Sequence, residues 1–229
     1  MTLSIIKVTI ILPVLNEAAG IEAALAALQD YRTRGVEVIV ADGGSADNTI
    51  ELARPSADKV ISSPRGRAAQ MNAGAAAARG EVLLFLHADT QLPVHADRLV
   101  LGGLAQSNRV WGRFDVQFDG GALRLVAGAM NIRSRLTGIA TGDQAVFMTR
   151  TAFEQAGGFP PIALMEDVAL SAKLKRIGPP LCLHARVTTS GQRWHKNGTL
   201  RTVLLMWSLR LRFFLSADPD RLARAYGYR

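Results

Sequence analysis

The chain contains one cysteine, Cys182, so no internal disulfide can form. That excludes the disulfide-stapled secreted scaffolds and makes a reducing compartment the default. Aromatic residues are sparse at 6%, too few for a platform on which successive bases stack, so the reading carries no nucleic-acid partner. Long apolar runs are also missing. The N-terminal run is broken by Lys7 and closed by Pro13, too short for the hydrophobic region of a signal peptide. The run over 203–215 is interrupted by Arg210 and Arg212 and falls short of the ~20 residues that span a bilayer. It reads either as a buried terminal helix or as a basic helix in a membrane interface. Acidic residues are outnumbered, 19 against 27 Lys and Arg, for a formal charge of +8. Such a surface favours nucleotides, nucleic acid or acidic membrane and does not choose among them. What is plentiful is apolar material, 48% of 229 residues, enough for a buried core and against disorder as the dominant state.

Short β-rich runs alternate with helical periodicity. A strand is predicted over 8–12. A helix marked by Ile21, Leu25 and Leu28 follows, with Asn16 as a cap before it. Further strands are predicted over 36–41 and 59–62, separated by a short helix that Asp47 would cap. An alanine-rich helix over 68–78 precedes a near-continuous apolar strand over 81–86, the pattern of a strand covered on both faces. This alternation implies βαβ units and a mostly parallel sheet flanked by helices. Beyond residue 95 the pattern loosens: strands over 110–118, 144–149 and 181–187, helices over 123–136 and 168–177. We read one domain of 229 residues, with a nucleotide-binding half over 1–95, an acceptor and catalytic half over 96–198, and a C-terminal helical segment over 199–229.

In an open parallel sheet, ligands bind beyond the carboxyl ends of the strands. Polar residues just after apolar strands are therefore the site candidates. Pro13, Asn16 and Glu17 follow the first strand. Asp42 ends the second, where a carboxylate can accept from a nucleobase imide or a ribose hydroxyl, and Gly43 and Gly44 permit close backbone approach. The same stretch also suits a plain turn capped by Asp47. Arg65 and Arg67 precede a helix and could meet a diphosphate there, or form a solvated basic loop. His87 and Asp89 flank Ala88 and at strand spacing point to one side, where they could hold Mg²⁺ or Mn²⁺. Capping by Asp89 is the alternative. Glu166 and Asp167 open a helix, either to favour its dipole or to act as a general base.

Taken in order, these pieces resemble the family 2 glycosyltransferases, GT-A fold enzymes that use nucleotide-diphosphate sugars. The carrying residues are Ile11-Leu12-Pro13-Val14-Leu15-Asn16-Glu17; Val38 to Ser45 with Asp47 and Thr49; Arg67, Asn72 and Gly74; Leu84-Phe85-Leu86-His87-Ala88-Asp89; Gly157-Gly158-Phe159; and Glu166-Asp167. Compact length, Gly142-Asp143-Gln144 and Ser190-Gly191-Gln192-Arg193-Trp194 are similar to the bacterial arsenosugar-biosynthesis-type subgroup. The resemblance implies a nucleoside pocket lined by Pro13, Asn16, Glu17, Asp42, Gly43, Gly44, Arg65, Arg67, Asn72 and Ala88. It implies metal binding by Asp89, with His87 standing where the family's first DxD acid would be. It makes Asp167 the catalytic base, with Glu166 second, and puts Asp143, Gln144, Arg193 and Trp194 near the acceptor or diphosphate. Imidazole at 87 would tilt the metal toward Mn²⁺ over Mg²⁺.

The implied activity is an inverting, metal-assisted transfer of sugar from a UDP- or GDP-sugar to an acceptor hydroxyl. Two other readings stay open: a nucleotidyltransferase on a sugar phosphate, and a non-catalytic module that binds nucleotide sugars or docks on membrane. The former normally has a Gly-rich basic loop where Pro13 to Glu17 stand. The expected location is cytoplasmic, with an optional peripheral position on the inner membrane face through the C-terminal helix. Trp111 and that helix are candidate pieces of a homodimer interface.

Overall fold

A computed structural model of the chain describes residues 7–119, 123–191 and 198–227. An eight-stranded sheet runs through it. Its strands are β1 (Val8–Val14), β2 (Glu37–Asp42), β3 (Lys59–Ser62), β4 (Val82–Phe85), β5 (Thr90–Gln91), β6 (Trp111–Phe118), β7 (Phe147–Thr149) and β8 (Leu181–Thr189), in the spatial order β3-β2-β1-β4-β7-β6-β8-β5. The first half pairs in parallel, and β6 with β8 likewise; β7 and β5 pair antiparallel with their neighbours. This is the mixed, mostly parallel α/β architecture of the GT-A fold.

The helices are α1 (Ile21–Ala26), α2 (Gln29–Thr33), α3 (Thr49–Ala53), α4 (Arg67–Ala77), α5 (Ala96–Ser107), α6 (Arg124–Thr137), α7 (Arg150–Gln155), α8 (Glu166–Ile177), α9 (Thr199–Phe214) and α10 (Pro219–Tyr226). They sandwich the sheet, which is why β2 and β4 are buried at every position. Alternate residues of β1 serve opposite faces: Ile10 and Leu12 join one core cluster and Ile11 the other. Helix α4 lies close on Ile11 because Gly74 has no side chain; a Cβ there would stand 2.4 Å from Ile11 Cγ2.

Several sequence expectations change. The predicted strand over 144–149 is only Phe147–Thr149, because Gly142–Gln144 forms a 3₁₀ turn whose Gln144 Oε1 accepts from the Thr141 N–H at 3.2 Å. Helix α5 and strand β5 had no clear signal: α5 follows the left-handed His95 with no side-chain cap. Asn16 caps nothing. It sits at φ 55° and its side chain accepts from the Ala46 N–H at 2.8 Å, lacing the β1 turn to the β2 turn. Asp47 precedes the N-cap Asn48 of α3 and instead accepts from the Thr49 N–H. Trp111 is fully buried, with Nε1 donating to Gly178 O at 2.7 Å, so it is no interface residue. The C-terminal segment is buried on one side and exposed on the other. Leu209 of α9 and Leu222 of α10 are buried against Leu164, Met165 and Val168, while Leu204, Trp207, Leu211 and Phe214 of α9 are exposed. Among the described residues no helix is long and apolar enough to cross a membrane.

Candidate active site

A cleft of about 610 Å³ opens beyond the carboxyl ends of β1 and β4. One wall comes from the first half of the chain: Glu17 after β1, Arg67 at the start of α4, and His87 and Asp89 after β4. The opposite wall comes from the second half: Thr141, Gly142 and Asp143 in the 3₁₀ turn, Glu166 and Asp167 at the start of α8, and side chains of α6 and α9.

The acids of the second wall differ in setting. Asp167 is pinned at both oxygens: Oδ2 accepts from the Gly142 N–H at 2.8 Å and Oδ1 from the Val168 N–H at 2.7 Å. Glu166 is buried. Burial, and then the neighbouring charge of Asp167, push its carboxyl up to about 7, against the opposing pull of Arg67 and His87. Met165, left-handed at φ 69°, aims this pair out of the preceding loop.

His87 joins the walls. Its Nδ1 lies 3.5 Å from Asp143 Oδ1, and its ring lies where a Cβ on Gly142 would stand, 2.4 Å away. Gly142 is therefore a position only glycine fits with the ring in place. On the first wall, burial and then Asp89 raise the Glu17 carboxyl, with Arg67 and His87 opposing. Two carboxylates that burden one another suit a cation. Among the described residues no three His, Cys, Asp or Glu are arranged to hold an ion alone. Mg²⁺ sites of this kind use one or two carboxylates and complete the shell with substrate phosphates. The donor set fits that pattern, centred on Asp89.

Other sequence candidates stand outside the cleft lining. Asp42 is buried and turned on its own loop, accepting from the Gly44 N–H at 2.8 Å and from the Ser45 hydroxyl at 2.5 Å. A side chain at Gly43 would run into Gln70, whose amide donates to Val14 O and Ala41 O and ties together the ends of β1 and β2. Asn72 clamps the backbone of Phe159: its Nδ2 donates to the Phe159 carbonyl and its Oδ1 accepts from the Phe159 N–H, both at 2.9 Å. Gln144 is buried beneath the turn. Pro13, Asn16, Gly44, Arg65 and Ala88 also lie off the lining. Arg193 and Trp194 fall outside the described residues. Sequence reasoning missed Arg133 of α6 and Arg210 of α9, both in the cleft. Each sits in a helical stretch with no motif around it.

The pattern of the family described as Glycosyl transferase family 2 matches residues 9–155, and the chain belongs to that family. Solved structures agree on the fold. S. aureus TarS 1–349 is 18% identical with a TM-score of 0.65, covering 87% of this chain and 65% of that one. The mannosyltransferase PcManGT from Pyrobaculum calidifontis, in complex with GDP-Man and Mn²⁺, is 21% identical with a TM-score of 0.66, covering 97% and 69%. Glucosyl-3-phosphoglycerate synthase from Mycobacterium tuberculosis, in complex with Mn²⁺, UDP and glucosyl-3-phosphoglycerate, is 20% identical with a TM-score of 0.59, covering 80% and 70%. The chain thus spans about two thirds of the length of these proteins. No curated protein sequence matches it. Glu166 and Asp167 lie beyond the family match, so their assignment rests on the cleft.

Proposed function

We propose that the protein transfers a sugar from a nucleotide-diphosphate donor to an acceptor hydroxyl with inversion. The carrying observation is one cleft with Arg67 and Asp89 on its first wall and the doubly pinned Asp167 on its second. In this reading the acceptor oxygen forms its bond to the anomeric carbon as that carbon's bond to the diphosphate oxygen breaks. The hydroxyl proton passes to Asp167, and the electron pair leaves with the nucleoside diphosphate. The two N–H groups that hold Asp167 fix which way its remaining lone pairs face, so the proton has a set destination. Burial, and then the neighbouring Asp167, raise the Glu166 carboxyl to about 7. Arg67 offers charge to the diphosphate. Asp89, with Glu17 and His87 nearby, would hold Mn²⁺ or Mg²⁺, which would supply further positive charge for the leaving group. The donor is a UDP- or GDP-sugar, received along the wall that carries Glu17 and Arg67. Neighbours whose structures contain UDP, GDP-Man and Mn²⁺ support that choice.

The bacterial subgroup named above, a cytoplasmic location and a peripheral membrane position remain within this proposal. The last is supported by α9, which carries no acidic residue and exposes Leu204, Trp207, Leu211 and Phe214 beside Arg201 and Arg212.

The direct test incubates the protein with UDP- and GDP-sugars, with and without Mn²⁺, and measures free nucleoside diphosphate. Metal-dependent release of UDP or GDP is the expected result. Pyrophosphate release from a nucleoside triphosphate and sugar phosphate would instead make it a nucleotidyltransferase. No turnover of any donor would leave a binding module.

A further inference from the structure

The far half of the cleft carries two arginines that form no ion pair among the described residues, although the charge of Asp167 favours both and that of Asp143 favours Arg210. Arg133 and Arg210 line it beside Asp167 and Asp143. Nε and Nη2 of Arg133 and Nε of Arg210 are buried with no hydrogen-bond partner, and neither guanidinium forms an ion pair among the described residues. The two cations also act on each other unfavourably. Buried donors left unsatisfied are costly, and two like charges facing one space raise that cost. No acidic residue occurs in Arg124–Thr137 or Thr199–Phe214, so neither helix can neutralise its own arginine. An anion entering from outside would satisfy both.

The same two helices supply the apolar lining next to these arginines: Leu125, Val126 and Met130 from α6, Val203, Met206 and Trp207 from α9. Leu125 and Trp207 are 88% and 69% exposed at the rim. The polar donor wall has no such surface. We propose that the acceptor is an anionic amphiphile. A phosphate or carboxylate is held by Arg133 and Arg210, an apolar body lies between α6 and α9, and a hydroxyl is thereby presented to Asp167. This rests on the glycosyl-transfer reading for the identity of the ligand as acceptor; the anion subsite itself does not.

Binding of decyl phosphate, decanoate and uncharged decyl glucoside below their micelle concentrations tests it by calorimetry, alongside UDP or GDP with Mn²⁺. The variants are Arg133→Gln, Arg210→Gln, Arg133→Lys, Arg210→Lys and the remote surface change Arg54→Gln. One decyl anion should bind roughly 10-fold or more tighter than decyl glucoside. The two glutamine variants should lose that preference, the lysine variants should keep part of it, and Arg54→Gln should keep it all. Nucleotide affinity should be unchanged throughout. Which anion prevails separates a phosphate from a carboxylate ligand. Equal binding of charged and uncharged probes, or equal loss in Arg54→Gln, overturns the proposal. Loss of nucleotide affinity in both glutamine variants, with anion binding intact, overturns it too and gives these arginines to the donor. If wild-type protein binds no nucleotide yet shows the arginine-dependent preference, the transferase reading fails and the anion subsite stands.

Discussion

Asp167 and Glu166 are adjacent in sequence yet do different things, because one is held by two backbone donors and the other is buried. Asp167→Asn keeps the side chain's size but has one acceptor oxygen for the two N–H groups of Gly142 and Val168, and it cannot take a proton. Transfer should fall roughly 10²- to 10⁴-fold with nucleoside diphosphate affinity retained, read by initial rates and by titration of UDP or GDP. Glu166 has a signature in stability. Its carboxyl is near 4.5 when unfolded and about 7 when folded, so between those values the unfolded chain ionises while the folded one stays protonated. The folded state therefore binds more protons there, and stability falls as pH rises across that window. The scale is on the order of 1 kcal/mol per pKa unit. Chemical denaturation from pH 4 to 8 should reveal the decline, and Glu166→Gln should remove it. Gly142 is legible only in three dimensions. A methyl there meets the His87 ring at 2.4 Å. Gly142→Ala should displace the imidazole and lower turnover more than nucleotide affinity, a split that steady-state kinetics measures.

At the level of elements, continuous apolar runs announced β1, β2 and β4, and alanine content announced α4. Their ends carried the motifs that placed Glu17, Arg67 and Asp89. Signals failed where tertiary structure overrode local pattern. The run after Gly142 begins as a 3₁₀ turn because Gln144 is anchored to the Thr141 backbone and lies near Asn131. Helix α5 starts from a left-handed residue without a capping side chain. Asn72 looked like a ligand group and is instead a clamp joining α4 to the loop before α8. Asn72→Ala should strip both bonds from Phe159 and destabilise the protein by about 1–3 kcal/mol, seen as a lower denaturation midpoint. Helix α9 shows neither a fully buried nor a fully exposed pattern, since it packs on Leu209 and leaves the Leu204–Trp207–Leu211 stripe outside. If that stripe meets a bilayer, sedimentation with phosphatidylserine vesicles should retain the protein, phosphatidylcholine should not, and 0.5 M salt, an ionic strength of about that value, should weaken the association by screening.

Across the whole molecule, charge and topology divide the labour. The stretch matched by the family pattern, residues 9–155, builds the first wall and adds Asp143 and Arg133 to the second, and the stretch beyond it supplies Glu166, Asp167 and Arg210. The first was readable because strand-end motifs are local. On the second wall the Glu166–Asp167 pair and Asp143 carried a local signal too, but Arg133 and Arg210 did not, because they acquire meaning only when α6 and α9 face each other across the cleft. The sheet itself binds these halves together. Strand β4 is buried on both faces and completes its hydrogen bonding only when β7 arrives on its far side. During biosynthesis the ribosome releases β4 long before residues 147–149, so a nascent chain displays an open, hydrophobic strand border for that interval. Chaperone demand and misassembly should therefore concentrate there, and a gene fragment ending near residue 95 should yield insoluble product.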